Sequence, residues 1–506
     1  MAAGGGIDLV DGGCVLCAVG FYSVKGRRGT KVVESLDSYL TGRELEALAK
    51  SIDEILILVT WAGLGHQRVG EAVIQAGKLL GVANVQLVNI RPRTDGAHYL
   101  GSNDRLVKSV TEYAQRHTWL QRTLAWPYSA ALGRLYEEPV AEALEKNVGG
   151  EWWRQRFGVL GFQPEAGLGL GKLLEKHDAF KDIFYGQVIT DHMGRRPQDT
   201  TAMLLPHVLY VPDGRTGDMI SGRQQVYRNW WMRSLENRHR TKIKMCPLPV
   251  DPRLLEELEV SSRKFRLEQL DKDNEQPLRI LFSPGGSAPR GPMMLEMARK
   301  FSQKIVPFVV MQQSDRLAKL TDEFVSVLGE NHVFGEKDAD GTITAFVEVH
   351  KAVLPVILVT KPSELSAMSM VEFNKLGGEL VFYLKPVGDH EVQNLDFLAE
   401  KGLIPSEVDN EDLVAAILNG ELEVAQRLIG DHRLWRGLRL PEDPEQAAVL
   451  IEKGYEMGLW KQMYEDCLPI LNDPEVREDG AFVIWRLWVQ GLLASGGKDQ
   501  GVGGFS

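Results

Sequence analysis

The chain has 506 residues and a mass of 56.5 kDa, more than one hydrophobic core ordinarily organises, so two or three domains are expected. With 44% hydrophobic and 25% charged residues the composition is that of a globular protein and excludes disordered, collagenous and coiled-coil chains. A net charge of -11 and a pI near 5.6 exclude a protein that coats nucleic acid over most of its surface, and no nucleic-acid partner is expected.

The start, MAAGGGIDLV, has neither a basic n-region nor a long apolar core, so no signal peptide is expected, and no stretch reaches the ~18 apolar residues of a membrane span. Four cysteines, Cys14, Cys17, Cys246 and Cys467, are too few for a disulfide framework and fit a reducing, cytoplasmic setting. Cys14 and Cys17 stand in the apolar run CVLCAVGFYSV, which reads as a strand of an N-terminal hairpin rather than a metal or redox site. The first strong unit is the strand ILILVT, the loop WAGLGHQ and a helix with Val69, Ala72, Val73, Ala76, Leu79 and Leu80 at helical spacing, followed by the strand VQLVNI. From Arg93 to about Gly186 the chain reads mostly as helix with aromatics, before the strand-like QVITDHM and HVLYV. A second unit repeats the first: the strand RILFS, the loop PGGSAPRG, a helix with Met294, Met297, Ala298 and Phe301, then IVPFVVM. VILVT, ELVFYLK and the helix around EVQNLDFLAEKG follow. Beyond Pro405 the pattern is wholly helical and acidic, with 19 Asp or Glu against 8 Lys or Arg between Glu400 and Gly480, and the tail ASGGKDQGVGGFS is low in complexity, with disorder expected. Alternating strands and helices imply parallel sheets, and two such openings imply two doubly wound α/β domains. The expected division is an extension at 1–52, a first Rossmann-like domain at 53–245 with a helical insertion at 93–186, a second at 246–405, an acidic helical region at 406–492 and a tail at 493–506.

In open parallel sheets ligands bind beyond the carboxyl ends of the strands, where glycine lets backbone N–H groups approach an anion and a helix N-terminus adds its dipole. The loops from Gly63 to His66 and from Gly285 to Gly291 stand at such positions. A dinucleotide fingerprint G-x-G-x-x-G would need glycine at position 68, where Arg68 stands, and VQLVNIRPR ends in Asn89 and Arg91 rather than in an acidic residue. Nicotinamide or flavin dinucleotide binding is therefore disfavoured, and no cofactor is expected.

The stretch ILILVTWAGLGHQRVGEAV resembles the opening of GT-B glycosyltransferases of the monogalactosyldiacylglycerol synthase and processive diacylglycerol glucosyltransferase type, shared with the peptidoglycan N-acetylglucosaminyltransferase. KIKMCPLPVDPRLLEE, RILFSPGGSAPRG and VILVTKPSELSAMSMVEFNKLGGELVFYLKPVGDHEVQNLDFLAEKG resemble later segments of that family, so the likeness covers roughly residues 53–92 and 187–405. Where the family has a glycine pair after Lys361-Pro362 this chain has Ser363-Glu364. The helix Glu arrives about three residues late at Glu372, and Glu379 replaces a proline. The resemblance implies a GT-B fold, two Rossmann-like domains facing a cleft, and transfer of a sugar from a nucleotide-diphosphate donor, most simply UDP-linked, to an acceptor hydroxyl with inversion.

Carried over residue by residue, it makes His66 a general base, with Asp191 orienting it or binding acceptor, and Gly63 and Gly65 the acceptor-side loop. Gly285, Gly286, Ser287, Lys361, Ser363 and Glu364 would hold the donor diphosphate, Glu372 the ribose hydroxyls, and Asp389, His390, Glu391 and Asn394 the sugar. Each also has a plain reading: His66 or Asp191 as a helix cap, the glycines as an ordinary turn, Glu372 as a surface carboxylate. No Asp-x-Asp pair ends a strand in either sheet, so the leaving charge falls to the Gly285–Ser287 loop and a helix dipole, and no metal is expected.

Two features bear on the acceptor. RTGDMISGRQQVYRNWWMRSLENRHRTKIK carries eight Lys or Arg against two acids around Trp230 and Trp231, a patch suited to an anionic lipid surface or to an inward-packed helix. Trp119, Leu120, Leu124, Trp126 and Tyr128 cluster where the lipid-glycosylating relatives face the membrane, so a lipid acceptor and peripheral contact with the inner membrane face are expected, with core packing as the alternative. Two rival functions stand beside transfer: a UDP-sugar epimerase using the same cleft, and a non-catalytic relative acting through partner binding.

Overall fold

The computed structural model describes residues 21–25, 30–34, 39–60, 64–90, 118–152, 156–177, 183–192, 204, 206–230, 241–470 and 473–496, and every statement below concerns these. Strands β1 (Phe21–Lys25) and β2 (Thr30–Glu34) pair antiparallel, as the hairpin reading expects. Helix α1 (Gly42–Ser51) follows, nucleated by a reciprocal cap: the Glu44 N–H donates to Thr41 Oγ1 at 3.2 Å and the Thr41 N–H to Glu44 Oε2 at 2.8 Å.

The first sheet is built from β3 (Glu54–Thr60), α2 (Leu64–Leu80), β4 (Val85–Ile90), α3 (Thr118–Asn147), β5 (Phe157–Gly161), α4 (Pro164–His177), β6 (Ile183–Val188), β7 (Val208–Val211), α5 (Gly214–Trp230) and β8 (Lys242–Met245). Its strands are all parallel, in the order β4-β3-β5-β6-β7-β8, so the winding reverses between β3 and β5. From Ile55 to Val59 β3 is buried on both faces, which is why it reads as an unbroken apolar run.

The second sheet uses α6 (Val260–Leu270), β9 (Leu278–Ser283), α7 (Gly291–Lys300), β10 (Ile305–Val310), α8 (Ala318–Leu328), β11 (Val333–Phe334), α9 (Ala339–Val353), β12 (Ile357–Thr360), β13 (Leu380–Tyr383), α10 (Asp389–Glu400), α11 (Glu407–Asn419), α12 (Leu422–Asp431), β14 (Gly437–Arg439), α13 (Pro444–Glu456) and α14 (Leu459–Glu465). Its order is β11-β10-β9-β12-β13-β14, again all parallel, with the reversal between β9 and β12. Two doubly wound sheets whose strand-end loops meet at a shared junction are the GT-B arrangement that the resemblance implies. Among the described residues no helix is long and apolar enough to cross a membrane.

Two regions differ from the sequence reading. The stretch 93–186, read as mostly helical, contributes β5, a strand in the middle of the first sheet. Its sequence FGVLG carries two glycines because bulky groups cross its faces: Trp488 lies where a Cβ of Gly158 would project, and Gln187 where that of Gly161 would. The chain after Pro405, read as wholly helical, adds β14 to the edge of the second sheet. Gly437 stands in β14 with the Val381 carbonyl oxygen where its Cβ would project. Gly437→Ala is therefore expected to push β14 off β13 and lower stability by about 1–3 kcal/mol in chemical denaturation.

The last helix, α15 (Gly480–Gly496), returns to the first domain. Trp485 Nε1 donates to the Val73 carbonyl of α2 at 2.7 Å, and Trp485 and Trp488 are both fully buried in the first-domain core with Tyr39, Leu48, Ile57 and Val73. Two segments thus connect the domains side by side, and they pair through a bridge between Pro249 and Asp479.

Candidate functional site

The site lies where the carboxyl ends of β3 and β6 in one sheet meet those of β9 and β12 in the other. From the first domain come the N-terminus of α2 and the Thr190–His192 turn after β6; from the second come the loops after β9 and β12 and the start of α10. Backbone approaches backbone here only because side chains are missing. A Cβ on Gly286 would stand 2.7 Å from Leu64 Cβ and 2.8 Å from Leu64 N, and one on Gly65 would stand 2.5 Å from Glu364 Oε2. Gly285 has φ +79°, a left-handed conformation that turns the loop after β9. Gly63 lies outside the described residues.

His66 occupies the first turn of α2, where its Nδ1 is 3.1 Å from Thr190 Oγ1. With the proton on Nδ1 and donated to Thr190, Nε2 keeps the lone pair that a general base needs. Asp191 is the next residue. Burial alone would push its carboxyl up, but His390, His66, the Asn394 amide and Lys361 together outweigh it and hold the group below the usual carboxylate range. Asn394 Nδ2 donates to Asp191 Oδ1 at 3.3 Å across the junction.

Lys361 of the second domain and Arg68 of the first are each matched by a second-domain carboxylate. Lys361 pairs with Glu391, whose other oxygen accepts the Val387 N–H at 2.6 Å. Burial works against the Lys361 ammonium, but Glu364, Glu391 and Asp191 outweigh it and raise its pKa. Glu364 accepts from Arg68 Nη1 at 2.8 Å with both side chains nearly inaccessible. Burial would raise the Glu364 carboxyl, yet Arg68, Lys361 and the Ser363 hydroxyl hold it below the carboxylate range. Ser363 is buried, whereas Ser287 is exposed. Arg290, one residue before α7, donates from Nε and Nη2 to the carbonyls of Lys385 and Pro386 at 3.0 and 3.2 Å, tying the loop after β9 to the loop after β13.

The structure thus brings together His66, Gly65, Asp191, Gly285, Gly286, Lys361, Ser363, Glu364, His390, Glu391 and Asn394. Asp389 opens α10, and its side chain lies outside the described residues. Glu372, expected at the ribose, is engaged elsewhere in this structure: its Oε2 accepts from Arg436 Nη2 and its Oε1 from the Ile470 N–H, both at 2.9 Å. Both oxygens serve the packing of the segment after β12 against Arg436 and residue 470, where the carboxylate offsets the charge of a fully buried guanidinium. Of the acceptor-side features, Trp231 lies outside the described residues, and so do the side chains of Trp119, Leu120, Leu124, Trp126, Tyr128 and Trp230, whose backbone forms parts of α3 and α5.

Three neighbours were not visible as site residues in the sequence. Arg68, which excludes the dinucleotide fingerprint, is the partner of Glu364. Thr190 fixes the His66 ring. His192 stacks on Phe397 of α10 at 3.6 Å between ring centroids, and its Nδ1 lies 2.6 Å from Asp213 Oδ2. A turn residue directly after a strand-end aspartate was the one available signal for His192. Among the described residues no three His, Cys, Asp or Glu side chains come close enough to hold a metal ion.

No family model matches the chain, and no curated protein matches it. Among solved structures it is similar to MurG of Acinetobacter baumannii, at 12% identity over 82% of this chain and 96% of that one, with a TM-score of 0.36. It is also similar to HepE of Anabaena solved with UDP and glucose, at 10% identity over 87% and 96% of the two chains with a TM-score of 0.41, and to ADP-heptose LPS heptosyltransferase II of E. coli, at 14% identity over 68% and 88% with a TM-score of 0.27.

Proposed function

We propose that the protein transfers a sugar from a nucleotide-diphosphate donor, UDP-linked in the simplest case, to an acceptor hydroxyl of a lipid or other molecule. The observation that carries this reading is the junction itself: a histidine and a half-buried, ionised aspartate from one sheet face a glycine loop and a lysine at the winding reversal of the other. That reversal is where open α/β sheets bind nucleotides. In the reaction, His66 Nε2 takes the proton of the acceptor hydroxyl as its oxygen bonds to the anomeric carbon. The bond from that carbon to the diphosphate oxygen breaks, and the displaced side gives inversion. The backbone N–H groups of Gly285 to Ser287, the N-terminus of α7 and Lys361 face the departing negative charge. Glu372 has no part in this scheme.

Calorimetric titration with UDP, beside GDP and NAD, tests the reading. UDP is expected to bind in the micromolar range, with affinity lowered at least about tenfold in Lys361→Met, since one lost charge-assisted contact to phosphate is worth about 1.5–3 kcal/mol. Glu372→Gln is expected to bind UDP as the native chain does. Loss of binding in Glu372→Gln would restore that residue to the site, and no UDP binding by the native chain would remove the reading.

One observation favours a second reading, that of a non-catalytic relative. The Glu364 carboxylate lies against the first turn of α2, beside Gly65 and bonded to Arg68, so the chain already supplies an anion at that helix N-terminus. This reading expects silence from UDP, GDP and NAD alike.

A further inference from the structure

Asn394 is fully buried and its amide is engaged on three sides. Its Oδ1 accepts the His192 backbone N–H at 3.0 Å, while its Nδ2 donates to the Pro362 carbonyl at 3.0 Å and to Asp191 Oδ1 at 3.3 Å. The amide orientation is fixed by this set, because a backbone N–H can only donate and a carbonyl can only accept. Two partners belong to the first domain and one to the second. With both N–H groups taken, Asn394 has no donor left for a sugar hydroxyl. The same face of α10 carries His390 one turn earlier and Phe397 one turn later, the latter stacked on the His192 ring.

We propose that Asn394 is a positioning residue, through which the second domain sets the orientation and charge of Asp191 in the first, so that Asp191 is correctly held beside His66 only when the domains are closed. The proposal rests on the reading above for what Asp191 serves, and not for how it is held. Around Asp191 stand His66 from α2, Lys361 from the loop after β12 and His390 and Asn394 from α10. The first three act by charge at a distance; among the described residues the amide alone donates to the carboxylate, at 3.3 Å. Separating the domains would remove Asn394, His390 and Lys361 together and open the carboxyl to water, which returns it toward the ordinary carboxylate range.

The test is a carboxyl carbon NMR titration of the full chain labelled with carbon-13 aspartate, the Asp191 signal assigned by its loss in Asp191→Asn. In Asn394→Ala the Asp191 midpoint is expected to rise by about one pH unit, a tenfold change in proton affinity. Asn394→Asp keeps the shape and the acceptor for His192 but replaces the donor. Two carboxyls then face each other, and one is expected to titrate above the usual carboxylate range. That variant reads the same interaction if the alanine variant does not fold. An Asp191 midpoint unchanged in Asn394→Ala, or two ordinary midpoints in Asn394→Asp, overturns the proposal. UDP binding by the native chain is measured separately, so its failure removes the glycosyl reading and leaves the titration result standing.

Discussion

Glu364→Gln is expected to lower the unfolding free energy by about 3–5 kcal/mol, the usual cost of leaving one member of a buried ion pair without its partner. The Arg68 guanidinium is nearly inaccessible, and its Nε and Nη2 have no other hydrogen-bond partner among the described residues. It also lies over the Phe346 ring, 4.7 Å from the centroid, so moving it into water would require α2 and α9 to part. Arg68→Met combined with Glu364→Gln removes the stranded charge and is expected to recover most of the loss, since apolar replacement of a buried pair is often neutral or stabilising. Denaturant unfolding of the three chains decides it: equal losses in the single and double variants would show that the pair is not the cause. The pH dependence carries the same sign. A carboxyl held below its ordinary value contributes stability that is complete above about pH 4.3 and is lost as pH falls through the folded-state value. The native chain should therefore lose melting temperature in acid more steeply than the double variant.

Trp488→Ala should cost about 3–5 kcal/mol, as expected for a fully buried tryptophan truncated in a core. The ring lies over Gly158 and Gly186 in the middle of the first sheet and packs edge-on against Trp485 at 5.8 Å. The strand positions beneath it are glycines, which offer no side chain to refill the space from that face. Equilibrium unfolding followed by a reporter in each domain provides the check. First-domain signals should move to lower denaturant, and an unchanged midpoint would place α15 outside that domain's cooperative unit.

Much of this fold was legible because its central strands are apolar on both faces and its helices are apolar on one. ILILVT, RILFS, VILVT and ELVFYLK are all strands, and the helices after the two glycine loops begin where expected. β5 was not legible, since a glycine-rich strand takes its stability from the tryptophan above it and carries no periodicity of its own. α1 could have been found from Thr41 and Glu44, a cap spacing that local chemistry makes specific. At the junction, the residue types and positions of His66, Asp191, Lys361 and Asn394 were readable one at a time. Their partners were not, because Arg68 with Glu364 and Asn394 with Asp191 are about 300 and 200 residues apart, and no local pattern encodes such a pairing. Glu372 shows the converse: a carboxylate near a motif position is drawn to the nearest buried guanidinium, that of Arg436.

The return of α15 to the first sheet has a consequence for synthesis. Strands β3 and β4 leave the ribosome early, yet the tryptophans that cover their sheet come from residues 485 and 488. At about 5–20 residues per second, roughly 20–80 s separate the two events. Throughout that interval the first sheet lacks part of its apolar cover, while the second, whose last helix ends at Glu465, is complete before residue 485 is made. The domain translated first is thus the last able to complete its core, and a nascent chain halted before residue 480 would be expected to occupy chaperones through its N-terminal half.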